Sequence, residues 1–253
     1  MSARVGRCWV LASVLLLAGC ATGLSDNERA ARVNVELGMA YLEEANVPAA
    51  IDTLSKAVEQ APRDAAAHAA LAIAYQRGGQ RELAARHFVH AIALDPGDAS
   101  VRNNYAVALC QEGRFDEAER QFALAVASPR YANPQLALTN AGACARLAGD
   151  WQRAGHHLEQ ALLHSPEYAP ALYQLARLAW LQSDPSGARD VLQRLDRRAG
   201  LDAAALALAI DVHDALGEHA VAAEYRARLE GSHPAGWQPT DIGLSRQRPA
   251  GLE

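Results

Sequence analysis

The chain has 253 residues, half of them hydrophobic, and carries 24 Lys and Arg against 29 Asp and Glu for a formal charge of −5. A negative chain without a basic patch is a poor partner for nucleic acid and does not adhere electrostatically to anionic lipid. Any membrane contact must then be covalent or apolar.

Residues 1–19 begin with Arg4 and Arg7, run through an apolar stretch from Trp9 to Leu17, and end in Ala18 and Gly19 before Cys20. That layout is a secretory signal, with an apolar run too short to span a bilayer comfortably. Leu17-Ala18-Gly19-Cys20 resembles the bacterial lipobox, which implies cleavage before Cys20 and acylation of its thiol and its new amine. Several acyl chains anchor firmly where a single one gives only marginal binding. Ala21 stands where lipoproteins kept in the inner membrane commonly carry Asp. By resemblance to that sorting rule, the destination is the periplasmic face of an outer membrane. Residues 20–30 then read as the lipidated Cys and a polar linker reaching at most about 35 Å.

A 34-residue pattern starts at residue 31 and is clearest over 65–98. There His68, Leu71, Ala72 and Tyr75 follow one helical stripe and Ala84, Phe88 and Ala91 another, so two amphipathic helices are expected. Gly78 and Gly79 separate them, and Asp95-Pro96-Gly97-Asp98 stops the second. The template recurs over 31–64 with Asn34, Leu37, Gly38, Tyr41, Ala50, Leu54 and Ala57, and over 99–134 with Arg102, Tyr105, Ala106, Leu109, Ala118 and Phe122. Ser128 to Pro134 then shifts the phase by two residues, and the pattern resumes over 135–168, 169–202 and 203–234. Pro62, Pro96, Pro166 and Pro234 share one phase once that shift is allowed, which richness in alanine does not readily produce. The last copy is the weakest, with His213 and Arg226 at positions that are apolar elsewhere. Residues 235–253 lose helical periodicity, gain Gly and Pro, and are expected to form a flexible tail.

These offsets resemble the tetratricopeptide repeat family. The resemblance implies an all-α, right-handed superhelical solenoid of about six helix hairpins, with the first helix of each hairpin lining a concave face. The second, fifth, ninth and twelfth positions of those helices would present Val35, Met39, Leu42, Ile73 and Gln76 in the first two repeats. Repeat 3 would add Asn103, Val107 and Cys110, and repeat 5 would add Tyr173, Arg177 and Trp180. Apolar side chains outside a hairpin's own core suggest a groove for an apolar partner segment, and two aromatics flanking an Arg have the composition of a binding anchor. The other reading is that the linker or a neighbouring helix covers the N-terminal set. The Lys and Asn set with which chaperone-binding members clamp a C-terminal carboxylate is absent.

Catalytic chemistry is not legible. His87 with His90, and His156 with His157, fall on the outward halves of second helices without carboxylate or Cys companions at ligand spacing, and read as solvated. Asp211 and Asp214 are spaced i, i+3 on the weakest repeat and also read as solvated. Cys8 leaves with the signal and Cys20 is lipidated, so Cys110 and Cys144 remain as thiols in an oxidising compartment. Their non-equivalent positions in adjacent repeats argue against a bridge and leave their oxidation open. No enzyme activity, cofactor, metal or small-molecule substrate is expected.

More local likenesses lie in ARVNVELGMAYLEEAN, in DAAAHAALAIAYQ, in VRNNYAVALCQEGRFDEAERQFALA with its Asn103-Asn104-Tyr105, and in the insertion containing Tyr131. Over about residues 20–234 these resemble the type IV pilus biogenesis lipoproteins of the PilW/PilF family, with an Ala-rich and Arg-rich drift in repeats 4 to 6. The resemblance implies a pilotin, which binds the secretin subunit of the type IV pilus and promotes its outer-membrane localisation and multimerisation. The alternative is a lipidated scaffold of another envelope machine, for outer-membrane protein insertion or peptidoglycan synthesis.

Overall fold

A computed structural model describes residues 24–231, so the leader, Cys20 and the segment 235–253 lie outside the described residues. Within them the chain forms six hairpins of two helices each: α1 (Asp26–Glu43) with α2 (Val47–Gln60), α3 (Ala65–Arg77) with α4 (Arg81–Leu94), and α5 (Ala99–Gln111) with α6 (Phe115–Val126). The second half repeats the plan with α7 (Pro134–Leu147) and α8 (Trp151–His164), α9 (Ala169–Leu181) and α10 (Pro185–Ala199), and α11 (Ala203–Ala215) and α12 (His219–Gly231). No strand occurs among the described residues.

Each hairpin turns on one residue with positive φ: Ala45, Gly79, Gly113, Gly149, Ser183 and Gly217. These recur every 34 residues apart from one interval of 36, from Gly113 to Gly149, which is the phase shift read at Ser128 to Pro134. Glycine takes this conformation freely, whereas Ala45 and Ser183 carry a cost of about 1–2 kcal/mol for their Cβ. Helix starts are equally local. Asp64, Asp98 and Asp202 cap α3, α5 and α11 by accepting from backbone N–H groups two or three residues on. The first helix begins at Asp26, so residues 26–30, expected as linker, are helical. Ser25 and Glu28 form a reciprocal capping box that nucleates the turn there.

Close helix approach sets the hairpin. A Cβ added to Gly38 would lie 2.4 Å from Leu54 Cγ, and one added to Gly142 would lie 2.7 Å from Leu158 Cγ. Stacking uses a second set of small residues. Ala57 clusters with Ala67, Ala125 with Ala137, and Ala161 with Ala171, each pair joining a second helix to the next first helix. Every first helix also packs against the first helix of the next hairpin, whereas the backbones of second helices stay apart and are bridged by long side chains, as His157 to Glu119 and Arg228 to Asp196. The first helices therefore form a continuous, shorter inner layer and the second helices splay outside it, which curves the stack into an all-α superhelical solenoid. Nothing among the described residues covers the far side of α1. Leu37 is accordingly 43% exposed, while Leu71, its equivalent one repeat on, is 2% exposed.

Cys110 and Cys144 are bonded as a disulfide, with their Cα atoms 5.8 Å apart, joining α5 to α7. This corrects the argument against a bridge. The two-residue shift at Ser128 to Pro134 makes equivalent positions 36 residues apart here, so Cys110 and Cys144, 34 apart, are two places out of register yet still face each other across the seam. Closing a loop of that length stabilises the fold by about 2–4 kcal/mol, largely by restricting the unfolded chain.

The two helical glycines of the fourth hairpin, Gly142 and Gly155, should respond to alanine in opposite directions. Gly142→Ala should destabilise by about 1–3 kcal/mol by displacing Leu158. Gly155→Ala, whose Cβ would meet only Leu178 Cδ2 at 3.7 Å, should stabilise by about 0.5–1 kcal/mol through helix propensity. Urea unfolding followed by circular dichroism checks the pair, and effects of the same sign would contradict the packing described.

Candidate functional site

The inner wall consists of seams between consecutive first helices, and each seam has its own chemistry. At α1–α3, Val35, Met39 and Ile73 are half-buried against Leu42, Leu54, Ala70 and Leu71, and Arg77 Nη1 donates to the Leu42 carbonyl at 2.7 Å. At α3–α5, Gln76 Nε2 donates to Gln111 Oε1 at 2.9 Å. At α5–α7, Asn140 Nδ2 donates to Asn103 Oδ1 at 3.0 Å beside the disulfide. At α7–α9, Arg146 faces Tyr173 and Arg177. The wall is apolar at its N-terminal end, amide-lined in the middle and cationic further on.

Of the residues expected to line a groove, Leu42, Asn103 and Trp180 are 2%, 3% and 5% exposed. They are buried in the spiral and are not presented to a partner, because a first helix is flanked by its own second helix and by both neighbouring hairpins. Only a narrow stripe of it stays open. Val35, Met39, Ile73, Gln76, Val107, Tyr173 and Arg177 are half-buried and border that stripe. Cys110 is committed to the disulfide. Repeat 4 contributed nothing to the expected groove, yet Arg146 stands at its twelfth position, one of the positions that defined the other candidates. Lipidation at Cys20 lies outside the described residues.

Between the two layers and across the second helices lie buried polar groups that periodicity did not single out. His68 is 7% exposed and lies beneath two histidines of α4, with ring centroids 5.1 Å from His87 and 4.3 Å from His90. Its Nε2 is 3.1 Å from the Pro62 carbonyl and its Nδ1 is 2.9 Å from His87 Nδ1. Donation by Nε2–H to Pro62 leaves Nδ1 to accept from His87, which assigns both tautomers from the network. His87 is therefore half-buried and not simply solvated as expected. His157 likewise meets Glu119 at 3.1 Å across α6 and α8, and buried His213 meets Glu218 at 2.5 Å. No group of three metal-ligating side chains is poised to hold an ion among the described residues. Asp214 is paired with Arg226 and His219. Outside the wall, the insertion folds back on the preceding turn through Arg130 with Asp95 and Ser128 with Gly97, enclosing a polar cleft of about 290 Å³.

A stack of helix hairpins with a continuous inner layer and a chemically graded wall defines the class: an interaction scaffold that presents surface to other proteins. Family models described as tetratricopeptide repeat match residues 35–78, 77–138 and 145–210, and the chain belongs to the tetratricopeptide repeat family. Within that family it is similar to PilF of Pseudomonas aeruginosa, with 25% identity and a TM-score of 0.69, covering 87% of this chain and 99% of that one. It is also similar to PilW, a widely conserved type IV pilus biogenesis factor, with 27% identity and a TM-score of 0.72, covering 84% of this chain and 97% of that one. These two likenesses support the PilW/PilF assignment read from the local sequence. A chain of the APC/C hetero-tetramer Cut9–Hcn1, at 19% identity and a TM-score of 0.64, covering 84% of this chain and 42% of that one, shares the fold alone. The curated protein sequences give no match.

Buried His68 and the paired carboxylates both cost stability as pH falls, but in separate pH windows. Burial, with the neighbouring His90 charge, holds His68 below the usual 6.5, so the unfolded chain takes up that proton first and stability falls as pH drops through about 6.5. Hydrogen bonds from His157 and His213 hold Glu119 and Glu218 below the usual 4.5, so their contribution is present above that value and lost as pH falls through their folded values. Leu occupies the position of His68 in the last three repeats, as Leu138, Leu172 and Leu206. His68→Leu should therefore flatten the fall in urea midpoint between about pH 7 and 5.5 while leaving the fall below about pH 4.5. An unchanged profile would place the titrating group elsewhere.

Proposed function

We propose that this chain is an outer-membrane lipoprotein that binds the type IV pilus secretin subunit and promotes its localisation and multimerisation, as a scaffold and not an enzyme. The observation that carries this reading is the likeness to PilF and PilW, which extends over 99% and 97% of those chains and supports a role in type IV pilus biogenesis. Two features fit the compartment: the lipobox-like sequence ending in Cys20, and a disulfide of the kind that persists where the environment is oxidising. Acyl chains on Cys20 hold the scaffold at the membrane, and the inner wall holds the secretin monomer. Tethering both to one surface raises the local concentration of subunits where the ring assembles. The half-buried apolar residues Val35, Met39 and Ile73 form the contact for an apolar segment of that partner.

Cys20→Ala should leave the helical content unchanged, move the protein off the outer membrane and reduce secretin multimers on a semi-native gel. Normal multimers in that variant would count against the tethering step. At the wall, Met39→Glu should weaken secretin capture by about tenfold or more by setting a charge in an apolar contact, with helicity preserved. Leu42 does not serve here, since it is 2% exposed and a charge there would unfold the hairpin. Undiminished capture by the Met39 variant, or capture of a barrel assembly factor in place of a secretin, would remove the N-terminal wall or the secretin from the mechanism.

A further inference from the structure

The α7–α9 seam differs from the two before it. At α3–α5 and α5–α7 the polar side chains satisfy one another, as Gln76 with Gln111 and Asn140 with Asn103. At α7–α9 the charges of Arg146 and Arg177 act on each other across the seam, and neither guanidinium forms an ion pair with a carboxylate among the described residues. Arg146 Nε is buried with no hydrogen-bond partner there. Other half-buried arginines are satisfied: Arg102 donates to the Pro96 carbonyl and to Gln121, and Arg189 pairs with Asp190 and Glu218.

Helix electrostatics explain part of this arrangement and not the rest. Arg146 lies in the last turn of α7, where the helix dipole favours a positive charge. That accounts for one arginine and gives no reason for a second across the seam. Tyr173, one turn before Arg177, is half-buried against the α9–α11 core, and both arginines act on its hydroxyl. Asp202 also faces Tyr173, but it is committed to capping α11, accepting from the Ala205 N–H at 2.8 Å. Burial first, and the Arg177 charge second, push the Arg146 guanidinium below its ordinary value, with Tyr173 opposing. Like charges drawn partly out of water are unfavourable in the free protein and become favourable when an anion enters between them.

We propose that Arg146, Arg177 and Tyr173 form a receptor on the inner wall for acidic side chains of a bound polypeptide. Guanidinium groups present planar forks that match carboxylates in bidentate fashion, and a tyrosine hydroxyl adds a donor or a ring face beside them. The occupant is a polypeptide and not a free anion because Arg146, Arg177 and Tyr173 stand half-buried on first helices, in the same inner layer that carries half-buried Val35, Met39 and Ile73. A segment apolar at one end and acidic at the other matches that gradient. The proposal rests on the inner wall being the binding surface, and does not depend on the partner being a secretin.

The test uses the full-length lipidated chain in detergent and a fluorescein-labelled peptide of alternating Glu and Leu, with its Gln-for-Glu counterpart as reference. Anisotropy titration should show the Glu peptide binding about tenfold or more tightly than the Gln peptide, with the difference shrinking as salt is raised. Arg146→Gln or Arg177→Gln should abolish that preference, and Arg81→Gln on exposed α4 should leave it intact. Because Arg146 is held in an unfavourable state without ligand, Arg146→Gln should also raise the Tm of the free protein by roughly 2 °C. Equal binding of the two peptides would overturn the proposal. So would a fall in Tm for Arg146→Gln, which would make the residue structural, or displacement of the peptide by inorganic phosphate at equal concentration, which would make the site one for free anions. Secretin capture is read separately. Retained capture with no Glu preference removes this receptor and leaves the proposed function standing, and lost capture with the preference intact does the reverse.

Discussion

The approach of α1 to α2 at Gly38 and of α7 to α8 at Gly142 leaves no room for a Cβ, and the second, third and fifth hairpins bury Ala72, Ala106 and Ala176 at the same place. Beside that small residue a large one fills the space: Leu54, Phe88, Phe122 and Leu158 are all nearly or wholly buried. The pairing sets the separation of the two helices, and the separation sets where the next hairpin can rest. Interiors are close-packed, so an error of one methyl at this point is transmitted along the stack and not absorbed locally. The positive-φ residue at each turn serves the same end by bringing the second helix back antiparallel within a few residues.

Curvature follows from that spacing. First helices pack directly on one another while second helices are bridged only by long side chains, so the inner layer is shorter than the outer. The inner seams then become the place where side chains of different repeats meet, and they carry the interactions that are least repetitive in the molecule. An amide pair, a disulfide and an arginine pair occupy successive seams, each joining residues roughly one repeat apart. The fold is generic at the hairpin and individual at the seam, which is what a scaffold needs if its wall is to distinguish one partner from another.

The outer face shows a different compromise. His68 is buried where Leu138, Leu172 and Leu206 stand in later repeats, and it is accommodated by the Pro62 carbonyl and by His87. His213 is accommodated by Glu218 in the same way. A buried imidazole tolerates its site only while its hydrogen bonds are made, so the second hairpin is tied to the protonation of His68 in a manner that the fourth and fifth, with leucine at that place, are not.

Periodicity in the chain determined the six hairpins, the phase shift at Ser128 to Pro134 and the family, because helix stripes, glycine turns and proline stops are local physics. The capping box of Ser25 and Glu28 was equally local and marks the start of α1 five residues before the repeat pattern does. Only tertiary structure decided that Leu42, Asn103 and Trp180 are enclosed, that Cys110 meets Cys144, that His87 shields His68 and that Arg146 confronts Arg177. The reason is geometric. A repeat position states which side of its own helix a residue occupies, whereas the stagger and crossing of neighbouring helices, fixed jointly by both packed surfaces, state which residue lies opposite.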